Sequence, residues 1–185
     1  MPHARTKSRN LNRLVPIVHD FKRYLYQAAR LDRCGRNVAS KVYWKLYAIE
    51  NTIRIVIHSV LTAQIGPTWW AIAVDPTLAA QAARFRNSYV RSPRNANPGA
   101  SDIYLVFLTD LTNILRANTH LFTPIIPDTN SWIASLEGIR LPRNLVGHMN
   151  FPNSYDRAQV DTAYSLLPSL IANLPAGGVP VLIPN

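Results

Sequence analysis

The sequence predicts an all-α fold, a single-domain bundle of about six helices. Apolar residues recur at helical spacing along most of the chain, most persistently from about Val38 to Gln64. Hydrophobic residues fill 48% of the 185 positions and charged residues only 16%, a balance that rules out wholesale disorder and supplies one sizeable core. There is no internal repeat, and no linker is long enough to separate two domains.

The first element is the run Leu14, Ile17, Val18, Phe21, Leu25, Ala28, Ala29, with Pro16 tolerated in a first turn and Cys34-Gly35 as its stop. Its other face carries Lys22, Arg23, Arg30 and Arg33. Residues 1–36 therefore read as a basic N-terminal helical segment of the same domain, ahead of a helical core over 37–174. That core opens on the Val38–Gln64 helix, which Gly66-Pro67 ends. Its expected apolar stripe is Tyr43, Leu46, Tyr47, Ile49, Ile53, Ile57, Val60 and Leu61. The β-branched stretch Thr52–Ile57 has the composition of a strand, but the helical period on both sides of it argues for helix.

Trp69-Trp70 begin a short turn or helix that covers the core, and an Ala-rich helix with Arg84, Arg86 and Arg91 runs from about Thr77 to Ser92. Ser92–Gly99 is a loop. Ser101 or Asp102 caps the next helix, which turns Ile103, Val106, Phe107, Leu111, Ile114 and Leu115 inward. Thr123–Pro127 is an extended connection, and a helix from about Thr129 to Ile139 leads into Pro142-Arg143-Asn144. The last helix spans about Tyr155 to Asn173, with a kink threatened at Pro168, and the Pro/Gly-rich tail 175–185 is extended or disordered.

Composition narrows the function. No apolar run reaches the ~18–20 residues of a membrane span. The basic N-terminus has no apolar stretch behind it, which argues against a secretory signal. Cys34 stands alone, so an intramolecular disulfide and a cysteine-based zinc site are excluded, and it reads as a small structural thiol. A cytoplasmic protein without a membrane partner is expected. The charge is +10, and it is uneven: residues 1–45 hold 11 basic and 2 acidic side chains, the remainder 9 and 8. Such an end attracts a polyanion, RNA or DNA, or else contacts an acidic protein.

Several chemistries lack their residues. The glycines are scattered, so no phosphate loop is present, and His3, His19, His58, His120 and His148 form no helical metal pair. The carboxylates show no close pairing of the kind that holds two metal ions. No metal and no cofactor is expected, and any phosphodiester chemistry must run on Arg, His and polar side chains. One segment holds these together: Arg140-Leu141-Pro142-Arg143-Asn144-Leu145-Val146-Gly147-His148-Met149-Asn150. An imidazole, with an ordinary pKa near ~6.5, can move a proton off a 2′-hydroxyl or onto a leaving oxygen, and a guanidinium can hold two phosphate oxygens. On a regular helix Arg143 and His148 lie about 140° apart, so either Gly147 ends the helix and lets His148 turn back, or a second copy completes the site. A helix-end pair making only local bonds is the alternative.

The Arg143-Asn144 pair followed by His148 resembles the signature of the HEPN ribonucleases (the higher eukaryote and prokaryote nucleotide-binding superfamily). Upstream, Tyr43–Arg54 contains Glu50-Asn51-x-x-Arg54 and resembles a helix of one HEPN subgroup, in which a Gly and a Trp pair follow as Gly66 and Trp69-Trp70 do here. Asp102–Leu115 resembles the helix that precedes the motif, and the likeness covers roughly residues 40–165. It implies a HEPN-like helical bundle and a homodimer, or a higher oligomer, with two Arg-Asn…His segments facing each other across a two-fold axis. It also implies metal-independent endonucleolytic cleavage of RNA to a 2′,3′-cyclic phosphate, in a toxin or antiviral-defence effector held in check by an antitoxin or other regulatory partner. Arg143, Asn144 and His148 would then be catalytic, with Glu50, Asn51 and Arg54 beside the cleft, Glu50 orienting Arg143 or His148 and Arg54 touching phosphate. Lys22, Arg23, Arg30 and Arg33 would bind RNA through their charge.

Two positions depart from the family pattern. Pro142 directly precedes Arg143, where a continuous helix is expected, and Asn150 stands where some members carry a tyrosine that a partner nucleotidyltransferase modifies. Plainer roles stand beside these: Glu50 and Arg54 as an ordinary i, i+4 pair, Trp69 and Trp70 as core or dimer contacts, His19 and His58 as packing or surface histidines. A non-catalytic helical module that binds RNA or a partner protein is the competing function.

Overall fold

A computed structural model describes residues 28–184, with side chains from Arg33 onward, and every regular element in that range is helical. The elements are α1 (Ala28–Val38), a π-helical turn (Ala39–Tyr43), α2 (Trp44–Ile65), α3 (Trp69–Ala73), α4 (Pro76–Val90), a 3₁₀ turn (Asp102–Leu105), α5 (Leu108–Ala117), α6 (Thr119–Phe122), α7 (Thr129–Gly138), α8 (Arg140–Gly147), α9 (Ser154–Ser165) and α10 (Leu167–Ala176). They form one compact all-α domain. The apolar run Leu14–Leu25 lies outside the described residues.

The long helix α2 is the axis of the domain, with α3, α5, α6, α9 and α10 packed around it. Ile49, Ile53, Val56, Ile57, Val60 and Leu61 are almost wholly buried there, against Phe122, Leu111, Leu136, Leu170 and Leu174. Each buried aliphatic side chain of this size contributes about 1.5–3 kcal/mol, and Ile53→Ala, which opens a cavity at the centre, should cost about 2–5 kcal/mol. Gly66 stops α2 as expected, with φ 106°, a backbone only glycine adopts without strain.

Several expectations change. Cys34-Gly35 does not close the first helix: α1 runs through it, because an interior glycine costs a helix only about 1 kcal/mol. The chain enters α2 through the π turn, where the Trp44 indole N–H donates to the Ser40 carbonyl at 2.8 Å. The extra residue rotates the start of the stripe, leaving Tyr43 58% and Tyr47 64% exposed while Val42 and Leu46 go inward. The fourth helix is two elements broken at Val106-Phe107, where Asp110 accepts the Phe107 N–H at 2.9 Å and starts α5. Phe107 faces outward, 47% exposed. Thr123–Pro127 is a run of turns closed by Ile125 and Ile126 N–H bonds to the Phe122 carbonyl, not an extended strand. The last helix divides at Leu166, with Pro168 in the first turn of α10, where a missing N–H costs nothing.

The tail is extended but ordered. The Ser59 hydroxyl donates to the Leu182 carbonyl and accepts the Leu182 N–H at 2.8 Å, and the Tyr104 hydroxyl donates to the Pro184 carbonyl at 3.0 Å. Val179 and Pro184 are buried, so the tail covers the back of α2. No helix among the described residues is long and apolar enough to cross a membrane.

Candidate functional site

Pro142 creates the helix that carries the motif. It cannot donate to the Gly138 carbonyl four residues back, so α7 stops at Gly138 and the chain restarts from Ile139. In α8 Pro142 occupies the third position, where an N–H has no helical partner, and its departure from the family pattern is therefore tolerated. The next residue, Arg143, donates its backbone N–H to the Ile139 carbonyl at 2.9 Å.

The Arg143 side chain turns inward. Its Nε donates to Glu50 Oε1 at 2.8 Å, and its Cζ lies 5.7 Å from the centroid of the Phe107 ring. Glu50 also accepts at Oε2 from Arg54 Nη2, 3.2 Å away, so one carboxylate joins α2 to α8 and bridges two guanidinium groups. Glu50 and Arg54 side chains are 14% and 11% exposed, Arg143 27%. Arg54 is committed to the scaffold: its Nε donates to the Ile103 carbonyl, Nη2 also to the Val106 carbonyl, and Nη1 to Asn51 Oδ1. It braces Glu50 and the break before α5, so the expected contact with phosphate does not suit it. Arg143 keeps both Nη groups without a hydrogen bond among the described residues. Two guanidiniums on one carboxylate leave a local surplus of positive charge, with the Arg143 tip as its open end.

Asn51 has a local role, donating Nδ2 to the Tyr47 carbonyl at 2.8 Å. Asn144 is half-buried, and its side chain makes no hydrogen bond among the described residues. His148 caps the C-terminus of α8, its backbone N–H donating to the Asn144 carbonyl at 2.9 Å while its side chain is exposed. No hydrogen bond links its imidazole to Arg143, Asn144 or Glu50. The structure thus unites Glu50, Arg54 and Arg143, and leaves His148 apart from them within one chain.

The turn after His148 is a Schellman closure. Asn150 donates its N–H to the Leu145 carbonyl and Met149 to the Val146 carbonyl, both at 2.9 Å. Its pivot is Met149, at φ 60°, where glycine is the usual residue. A Cβ added at Gly147 would stand 3.5 Å from Arg143 Nη1, so the guanidinium tip passes along bare backbone.

Of the basic residues, Lys22 and Arg23 lie outside the described residues. Arg30 is on α1, and Arg33 is exposed on the same helix. Sequence reasoning missed Phe107 and Met149. The signal for Phe107 was Asp110 three residues later, an acidic residue placed to take the N–H of a helix start. Nothing in the sequence marked Met149.

His58 and the tryptophans behave as core residues. His58 Nδ1 accepts the Trp69 indole N–H at 3.2 Å, and burial holds its imidazole pKa below the ordinary value. Trp69 is buried, with Trp70 edge-on at 5.5 Å. His19 lies outside the described residues. Among the described residues no three His, Cys, Asp or Glu side chains group closely enough to hold a metal ion. No family model, curated protein or solved structure matches the chain.

Proposed function

We propose that this protein is a HEPN-type endoribonuclease of the toxin or antiviral-defence kind that needs no metal, with Arg143, Asn144 and His148 at its site. One observation carries the reading: Arg143 and Glu50, 93 residues apart and singled out through two separate motifs, share a 2.8 Å hydrogen bond. Glu50, braced by Arg54, fixes Nε and leaves the two Nη groups without a hydrogen bond among the described residues, a fork for two phosphate oxygens. A 2′-hydroxyl then attacks phosphorus, the 5′-oxygen leaves with a proton, and a 2′,3′-cyclic phosphate results. Arg143 stabilises the charge added in the transition state, and His148 handles a proton.

His148 comes from a second copy in this reading. The copies meet through α8 about a two-fold axis, and Leu141, 66% exposed beside the motif, supplies apolar surface for that contact. A partner protein that restrains the enzyme would cover the same face. The competing reading, a module that binds RNA or protein without cutting, is favoured by one observation: among the described residues no side chain is hydrogen-bonded to the His148 imidazole.

The test is cleavage of single-stranded RNA by pure protein in EDTA. Cleavage should persist, with cyclic-phosphate ends, and should fall about 100-fold or more in His148→Ala with RNA affinity nearly kept. RNA binding without cleavage by the unaltered protein would leave the binding module, and full activity in a folded His148→Ala protein would remove His148 from the chemistry. A protein that is monomeric at micromolar concentration yet cleaves would remove the shared site.

A further inference from the structure

A cavity of about 480 Å³ opens beside the end of α8, and none of Glu50, Arg54 and Arg143 lines it. Its size falls within the range of small-molecule sites, about 300–1,000 Å³. Val38, Tyr43, Val146, Met149, Asn150 and Phe151 form its walls. We infer that this cavity is a nucleobase subsite for single-stranded RNA, holding the base next to the phosphate that Arg143 receives; it rests on the RNA-directed reading above.

Four observations converge on that occupant. First, the walls are apolar and include two aromatic rings, the surface on which an unpaired base stacks regardless of its identity. Second, Gly147 lines the same cavity, and a Cβ there would lie 3.5 Å from Arg143 Nη1, in ordinary contact with the guanidinium tip. Gly147 therefore adjoins both the cavity and the Arg143 guanidinium. Third, Asn150 Nδ2 is engaged with the His148 carbonyl at 3.3 Å, which leaves Oδ1 as an acceptor. An acceptor among the residues that line an apolar cavity suits a base edge with N–H donors, such as the exocyclic amine of adenine or cytosine.

The fourth observation is the backbone of Met149. A left-handed conformation is strained for any residue with a Cβ, and a glycine would close the same Schellman turn without that strain. The chain instead places there a methionine that is 80% exposed and lines the cavity. Strain retained at such a point is accounted for when the side chain has a ligand to meet. Charge agrees with the choice of RNA. Arg33, Arg36 and Lys41 are exposed on α1 and the π turn, the elements that supply Val38 and Tyr43 to the cavity.

The test compares the full-length protein with Tyr43→Ala and Met149→Gly, measuring affinity for a labelled single-stranded RNA and for an abasic ribose-phosphate oligomer of equal length. Tyr43→Ala should weaken RNA binding about tenfold, in the range of one lost base stack. Met149→Gly should weaken it severalfold while raising thermal stability, a combination that a purely structural role cannot produce. Both should bind the abasic oligomer as the unaltered protein does. Unchanged affinity for RNA in both variants would overturn the proposal. So would loss of self-association with RNA binding intact, which would assign this face to a second copy. Measuring His148→Ala cleavage in parallel separates the two readings. If the unaltered protein does not cleave while RNA binding depends on Tyr43, the nuclease reading falls and the base subsite stands. If His148→Ala abolishes cleavage while the cavity variants bind like the unaltered protein, the subsite alone falls.

Discussion

The two ends of α8 are built differently. Near its start, Arg143 is held by a mostly buried carboxylate, itself braced by a second arginine with four hydrogen bonds. At its end, His148 is exposed, and its imidazole is tied to none of the motif side chains. A guanidinium that meets phosphate in both ground and transition state gains from being fixed in advance, because its long side chain then loses less freedom on binding. A proton-transfer group needs an exact distance to one reacting atom, which must come from the substrate or a second copy where its own chain does not set it. Fixity and exposure are thus divided between residues five positions apart.

That contrast can be broken most directly at His148. Replacement by alanine should reduce turnover by about 100-fold or more and leave the urea midpoint unchanged, since nothing described packs on the imidazole. A large stability loss with activity kept would invert the comparison. Glu50→Ala is the opposite case. It leaves two guanidiniums in a mostly buried site without their carboxylate, at a stability cost of about 3 kcal/mol by chemical denaturation, and turnover falls with it. Arg54→Ala should cost as much, because Glu50 and two backbone carbonyls lose their donor, whereas the more exposed Arg143→Ala should cost about 1 kcal/mol of stability. Arg143→Lys should rescue little turnover, since an ammonium keeps the charge but cannot bond Glu50 and fork a phosphate together.

Two smaller effects sharpen the picture away from the chemistry. Asn153 accepts the Asp156 N–H at 2.9 Å and starts α9 just past the motif, so Asn153→Ala should lower stability by about 1 kcal/mol without touching RNA affinity. The smallest effect concerns pH. Burial lowers the folded-state pKa of His58, so the unfolded chain binds the proton first as pH falls through about 6.5. Stability contributed by neutral His58 is present above that value and is lost as pH falls toward the folded pKa, where the imidazole no longer accepts from Trp69. His58→Gln should flatten that acid limb of a stability–pH curve; an unchanged limb would show that another group drives it.

Much of the fold was legible because strong periodicity and hard stops coincide. The α2 stripe from Leu46 to Leu61, the Gly66 terminus, the Pro76–Val90 helix and the loop after it all follow from spacing and turn chemistry. The readings failed where a local register changed without a sequence mark. The π turn moved Tyr43 and Tyr47 outward, and nothing in Ala39–Tyr43 distinguishes a wide turn from an ordinary one. Phe107 was read as core because hydrophobicity marks burial only on average, and here a helix start turns it toward a cation. Arg54 shows the limit for the site: position identifies a residue as near Glu50, but only tertiary contacts reveal that its donors are committed to the carbonyls of Ile103 and Val106.

The C-terminal strap places a constraint on timing. Ser59 sits on the same helix as Glu50 and is paired with Leu182, 123 residues further along the chain. During synthesis α2 leaves the ribosome early, while the segment that covers its back leaves long afterwards. Until that segment arrives, the helix that aims Arg143 has one side uncovered and lacks contacts of the highest sequence separation, the kind that form late. A nascent chain of this protein therefore carries every residue of its motif before it carries the clasp at Leu182 that covers the helix behind them, and arrival of that segment becomes the step that steadies the helix.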